Sequence, residues 1–161
     1  MLNFITSLSH ILYFYVWNFT DSYIKISYYL QTTPLFLITF ISIIQKSLQY
    51  SIIINYSIKN KTLIPYIENF NIINFLLIII GQILNFAVYY KIGIIGVYYG
   101  NKFGYNLPWI STFPFNIRLK NPQYIGCILT LIGMYPLLSI EYIIYSSSLY
   151  QITAYIENYN K

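Results

Sequence analysis

An all-α integral membrane protein is the fold class this sequence predicts: a bundle of about four to five apolar helices whose last segment is a helical hairpin. Three observations carry the prediction. Charged residues are 8% of the chain and hydrophobic residues 57%, whereas a soluble chain needs far more charge to cover its surface. The apolar residues gather in runs long enough to cross a hydrocarbon core of about 30 Å. Aromatic residues reach 20%, with 20 tyrosines, as in proteins that set belts of rings at the membrane–water interfaces. At 161 residues the length allows one compact unit, a single membrane-embedded domain over 1–161.

The N-terminal segment 1–19 is apolar but marginal in length, and Asp21 and Lys25 soon follow. It is expected to lie in the interface or to dip into the bilayer without crossing. It lacks a basic start and a small-residue cleavage site, and reads as retained. The first spanning helix is expected over 34–54, opened by Pro34, a residue suited to a helix's first turn. Thr39, Ser42, Gln45, Lys46 and Gln49 recur there at three- and four-residue steps, so they share one face. That face looks into the bundle or toward headgroups, because a lipid-exposed lysine is costly at depth; a snorkelling Lys46 meets the same constraint. The stretch 56–68, with its charges and Pro65, reads as a loop.

The longest apolar run is expected to form a helix over 70–98. One side carries Asn71, Asn74, Ile78, Gly81, Gln82, Asn85 and Tyr89. Small and amide residues along one face admit either a neighbouring backbone or a ligand. A single helix over 122–156 would be about 52 Å long, too long for one straight span. Gly133 and Pro136 split it into helices over 122–135 and 137–156. The hairpin puts Glu141 near its far tip and returns Glu157 to the membrane face that holds Arg118 and Lys120.

Charge and cysteine usage exclude several function classes. The net charge of +5 rests largely on short loops, at Lys59, Lys61, Lys102, Arg118 and Lys120. That suits anchoring beside anionic headgroups rather than nucleic-acid binding, which needs a clustered basic face. With Cys127 the only cysteine and His10 the only histidine, no internal disulfide and no Cys-based or His-pair metal site can form.

One stretch departs from the apolar pattern. "STFPFNIRLKNPQYIGCILTLIG", residues 111–133, sets two prolines, an arginine and a lysine before another apolar run. Pro122 is suited to open a helix and Asn121 to cap it. Gly126, one turn in, is expected to clear space above that helix N-terminus. The elbow follows a glycine run at Gly93, Gly96, Gly100 and Gly104, and contains "FPFN" at 113–116 and "NPQYIG" at 121–126, seven residues before Gly133.

In order and spacing these motifs, from about 70 to 161, resemble the phosphatidylethanolamine N-methyltransferases, the phospholipid methyltransferase family. The resemblance implies S-adenosylmethionine-dependent N-methylation of phosphatidylethanolamine, or of its mono- and dimethyl forms, toward phosphatidylcholine. The expected setting is the endoplasmic reticulum or the mitochondria-associated membrane. The family's cofactor-binding Gly-x-Gly falls on Ile79, Ile80 and Gly81, where only the second glycine is present. Its late Glu-Glu pair falls on Glu157 and Asn158, where only the first acid is present.

By the same resemblance Gly81, Gly96, Gly100 and Gly126 would admit the flat cofactor between helices, and Tyr124 would stack on a sulfonium or methylated ammonium. Glu157 would grip the cofactor's amino group or hydroxyls, or act catalytically on the proton an ammonium must lose before it attacks. Arg118 and Lys120 would bind a lipid phosphate. The implied partners are a phospholipid and the bilayer, with no nucleic acid and no metal. Isoprenylcysteine carboxyl methyltransferases are similar around the Pro-x-Tyr-x-Gly element and share the late acid. A non-catalytic helical subunit, and a degenerate homologue marked by Ile79 and Asn158, are the other readings.

Overall fold

The computed structural model describes residues 1–108, 110–117, 119, 121–135 and 137–159, the side chain of Tyr159 excepted. Arg118, Lys120 and Pro136, which the sequence singles out, lie outside the described residues. The helices are α1 (Leu2–Asn18), α2 (Thr20–Tyr29), α3 (Pro34–Lys59), α4 (Leu63–Asn69), α5 (Ile72–Val97), α6 (Pro122–Gly133) and α7 (Ile140–Tyr159). A short 3-10 turn, Gly100–Phe103, follows α5. No strand occurs among the described residues, and the protein is an all-α membrane bundle. Pro34–Lys59 and Ile72–Phe103 are long and apolar enough to cross a membrane. Their outer faces present Phe36, Phe40, Ile43, Ile83 and Phe86, all exposed, as a lipid-facing surface requires.

Local sequence explains where the two long helices begin. Thr33 caps α3, its Oγ1 accepting from Phe36 N at 3.2 Å, with Pro34 at the first helical position. Asn71 caps α5, its Oδ1 accepting from Ile73 N at 2.9 Å and Asn74 N at 3.1 Å. Each cap satisfies helix-terminal N–H groups that have no partner within the helix.

Two apolar clusters mark the ends of the bundle. Val16, Trp17, Tyr23, Ile38 and Tyr99 form one. Ile53, Leu138, Tyr142 and Ile143 form the other, with Leu2 and Leu131 packed against them. So α1 runs from the second end to the first, α3 returns, α6 leaves the first end and α7 comes back to it. Glu157, near the end of α7, meets Tyr124, near the start of α6. The last segment is therefore an antiparallel pair with exposed Glu141 near its far tip.

The closest helix contact joins α5 to α6. A Cβ placed on Gly81 would lie 2.5 Å from Gly126 O, and one on Gly126 would lie 2.6 Å from Gly81 O. Real Cβ atoms do not approach so closely, so backbone rests on backbone here. Amides stitch the same face: Asn74 Nδ2 donates to Gly133 O at 3.0 Å and Tyr135 O at 2.7 Å, and Gln82 Nε2 to Thr130 Oγ1 at 3.0 Å. The polar and small face of α5 thus receives a neighbouring helix.

A polar seam joins α1, α3 and α7. Gln49 donates to Thr6 Oγ1 at 2.9 Å, and Thr6 meets the Tyr142 hydroxyl at 2.9 Å. His10 Nδ1 lies 2.8 Å from Thr153 Oγ1, and Tyr13 donates to Ser42 at 3.4 Å. Lys46 turns inward and donates to the Tyr150 hydroxyl at 3.0 Å. Groups that would be costly in lipid pair with one another instead.

Four expectations need correction. Segment 1–19 is a full bundle member, because its polar Thr6, Ser9 and His10 are buried rather than laid in the interface. Stretch 56–68 is largely helical, since α3 continues to Lys59 and α4 begins at Leu63; its charges face outward at the helix ends. Asn121 makes no side-chain cap. It adopts a left-handed φ of 58° and donates from Nδ2 to Ala154 O at 3.4 Å, tying the elbow to α7. Gly126 does not clear open space, because α5 fills it.

The α5–α6 contact predicts the first outcome. Gly81→Ala and Gly126→Ala should each force the helices apart, and overpacking of this kind costs about 1–3 kcal/mol. Thermal unfolding in nanodiscs should show a lower Tm for both variants. The lipid-facing Ile83→Ala should leave it near the parent value.

Candidate active site

The residues that carry chemistry meet at the first end of the bundle. Glu157 Oε1 accepts from the Tyr99 hydroxyl at 2.6 Å and from the Tyr124 hydroxyl at 2.5 Å. The two hydroxyls lie 3.3 Å apart. Three elements supply this node: the turn after α5, the first turn of α6 and the last turn of α7. A carboxylate accepting two hydroxyl donors is held in one orientation by charge-assisted hydrogen bonds.

The path of α5 explains how Tyr99 arrives. Asn85 Oδ1 accepts from Cys127 Sγ at 3.6 Å, so α5 near residue 85 is level with the start of α6. A straight helix would carry Tyr99 about 20 Å further on. Instead the helix breaks at Gly93, with φ 62° and ψ −174°, a conformation open in practice only to glycine. Tyr99 itself adopts a left-handed φ of 60°. The bend turns the chain back over α6, where Trp17 and Tyr13 back the Tyr99 ring at 5.5 Å and 6.1 Å.

Beside the node a groove of about 490 Å³ runs between α6 and α7. Tyr124, Ile128, Tyr150, Ala154, Tyr155 and Asn158 are among its lining residues. The size falls in the range that encloses small ligands. Its chemistry is aromatic and apolar apart from the Gln151 and Asn158 amides, and Glu157 lies beyond Tyr124, which donates to it. Asn158 Nδ2 donates to Ala154 O at 2.8 Å.

Of the residues the sequence nominates, Tyr124, Glu157 and Asn158 come together here, and buried Gly100 sits next to Tyr99. Gly81 and Gly126 are taken up by the α5–α6 contact. Ile79 and Ile80 are 40% and 48% exposed, on the outer side of α5. Gly96 faces Ile92 of its own helix. Arg118 and Lys120 lie outside the described residues. Sequence reasoning missed Tyr99, one of 20 tyrosines; its place between Gly96 and Gly100, in the glycine run itself, was the available signal. Among the described residues no three His, Cys, Asp or Glu side chains gather to hold a metal.

A sequence profile of the phospholipid methyltransferase family matches residues 70–157. The chain belongs to that family. The match runs from the start of α5 to Glu157, and so contains every member of the node. A phosphatidyl-N-methylethanolamine N-methyltransferase of Arabidopsis thaliana is 40% identical over 78 residues, 48% of this chain and 47% of that protein. Proteins of the same name from Schizosaccharomyces pombe and Saccharomyces cerevisiae are 45% identical over 47 residues and 37% identical over 68. Those matches cover 29% and 42% of this chain, and 24% and 32% of those proteins. The chain thus aligns with less than half the length of the curated relatives it matches. No solved structure matches. A methyltransferase family implies a methyl donor, and the donor set fits one: a fixed carboxylate, an amide and three tyrosine rings beside a ligand-sized groove.

The shared carboxylate oxygen predicts the second outcome. Tyr99→Phe and Tyr124→Phe should each lose one charge-assisted hydrogen bond, worth about 1.5–3 kcal/mol. Because both act on one atom, the double variant should depart from additivity. A double-mutant cycle on unfolding in nanodiscs measures the coupling; strict additivity would separate the two bonds.

Proposed function

We propose that this chain catalyses S-adenosylmethionine-dependent N-methylation of ethanolamine phospholipids, acting on N-methylated forms on the way to phosphatidylcholine, in the endoplasmic reticulum membrane. The observation that carries the reading is the Glu157 node. Two motif regions of the family, the glycine run and the Pro-x-Tyr-x-Gly element, each send a tyrosine to the one acid present at the late acidic position. The relatives' names support the lipid substrate over an isoprenylcysteine one.

When bound, S-adenosylmethionine supplies a methyl group on a sulfonium, which an amine lone pair displaces in line as the sulfonium becomes a neutral thioether. The chain's part is to bring a water-soluble donor and a lipid acceptor together. Tyr124 and Asn158 hold the donor along the α6–α7 groove, where a tyrosine face suits a cation. Glu157, oriented by Tyr99 and Tyr124, would grip the donor's amino group or hydroxyls or, alternatively, receive the proton that the lipid ammonium sheds before attack. Arg118 and Lys120 hold the lipid phosphate. Gly81 and Gly126 shape this site through helix approach, and Gly96 and Gly100 flank Tyr99 in the segment that turns back over α6.

Membranes expressing the chain should transfer a labelled methyl group to N-methylated phosphatidylethanolamine, with lipid products resolved. Glu157→Gln should weaken donor binding by about one to two decades, the worth of one charge-assisted hydrogen bond. Asn158→Glu should tighten donor binding by placing a second carboxylate on the groove. No transfer by the parent, with transfer gained in Asn158→Glu or Ile79→Gly, would establish the degenerate homologue instead.

A further inference from the structure

One cation in this end of the bundle already sits on an aromatic face. Lys102, from the 3-10 turn, places Nζ 3.9 Å from the centre of the Trp17 ring. Trp17 is 8% exposed, and its Nε1 has no hydrogen-bond partner among the described residues. The Tyr99 ring stands edge-on to it at 5.5 Å and 62°, and Tyr13 closes on Tyr99 at 6.1 Å. Tyr99 in turn donates to Glu157. A single ring therefore links the ammonium-bearing indole to the carboxylate.

We propose that the indole face of Trp17 is the seat of the lipid's N-methylated ammonium, and that Lys102 is a built-in competitor which leaves when the headgroup binds. The placement beside Glu157 rests on the function proposed above; the binding does not. A lysine side chain ends in a primary ammonium on a flexible stem, which makes it a stand-in for an ethanolamine head. A primary ammonium keeps three N–H donors and is strongly hydrated, so an indole face compensates its desolvation poorly. Each added methyl removes a donor and weakens hydration while the charge remains. The face therefore discriminates in favour of di- and trimethylated nitrogen. The unpartnered Nε1–H at the ring edge is a donor for an oxygen of the same headgroup, since a buried N–H without a partner is costly.

The site can be read without turnover. In a Trp109→Phe background Trp17 is the remaining tryptophan, and its fluorescence reports occupancy of its face. The protein, in nanodiscs of phosphatidylglycerol, is titrated with dibutyryl-phosphocholine, dibutyryl-phosphoethanolamine and choline chloride. The phosphocholine lipid should bind about tenfold more tightly than the phosphoethanolamine lipid, a ratio within the cation–π range. Lys102→Met should tighten both lipids severalfold by removing the competitor. Trp17→Phe and Trp17→Leu, which leave no tryptophan in that background, are titrated calorimetrically beside the parent; Trp17→Phe should keep part of the preference and Trp17→Leu should abolish it.

Equal affinity for the two lipids in the parent would overturn the proposal. So would weaker phosphocholine binding in Lys102→Met, which would make Lys102 a phosphate ligand rather than a competitor. Free choline binding as tightly as the phosphocholine lipid would overturn the assignment to a lipid headgroup. Methyl transfer without the binding preference would sink this inference alone. The preference without methyl transfer would sink the proposed activity and leave the site standing.

Discussion

The contact between Gly81 and Gly126 fixes more of this molecule than any other. With backbone against backbone, α5 and α6 have no side-chain layer through which to slide, and the register of one on the other is set. That register puts the start of α6 level with residues near Asn85. Tyr124 then has one place to be, and the chain beyond α5 must return to reach it. The break at Gly93 and the left-handed residue at Tyr99 accomplish the return. The geometry of the Glu157 node is thus a consequence of two glycines that do not touch it. Glycines along a helix serve close approach in one place and reversal in another, and their spacing alone does not say which.

The second constraint is the bilayer as solvent. In hydrocarbon, burying apolar side chains gives little advantage over leaving them in lipid, so helices associate through close packing and hydrogen bonds. The protein uses both and separates them. Small residues join α5 to α6, while hydroxyls, amides, His10 and Lys46 join α1, α3 and α7. Tyr150 belongs to both regions: it accepts from Lys46 on one side and lines the α6–α7 groove on the other. The polar seam is therefore continuous with the wall of the candidate site, and α1 and α3, which the family match does not include, help set that wall.

Much of this was legible because it obeys a period. The polar face of α3 repeats at helical steps, and Ser42, Gln45 and Gln49 are indeed buried. The stripe on α5 repeats likewise and receives α6. Residue order also showed the elbow, because prolines and a lone glycine stand out against isoleucine and tyrosine. What escaped has no period. Tyr99 gains its place from backbone angles at Gly93 and at itself, which no composition reveals. The side chain of Asn121 serves α7 rather than its own helix, since a left-handed residue before Pro122 turns it away from the N-terminal amides. Segment 1–19 is marginal in length for a span and suggests an interfacial or dipping helix, yet polar groups spaced along it find partners on α3 and α7.

The two departures from the family pattern fall in different physical settings. Position 79 is on the outer side of α5 and half exposed, while Gly81, the glycine that is present, bears the helix contact. Exchanging a glycine for isoleucine on an outer face adds apolar surface where lipid accepts it and strengthens the helix. Position 158 lines the groove, so an amide there in place of an acid removes a charge from the groove itself. Glu157, one residue earlier, points to the tyrosines. The acid that is present is thus the one three elements converge on, while Asn158 has one hydrogen bond among the described residues, to Ala154 O of its own helix. Structural demand therefore falls on 157. At 158 the side chain lines a groove and bonds within its own helix, so packing places less demand on residue type there.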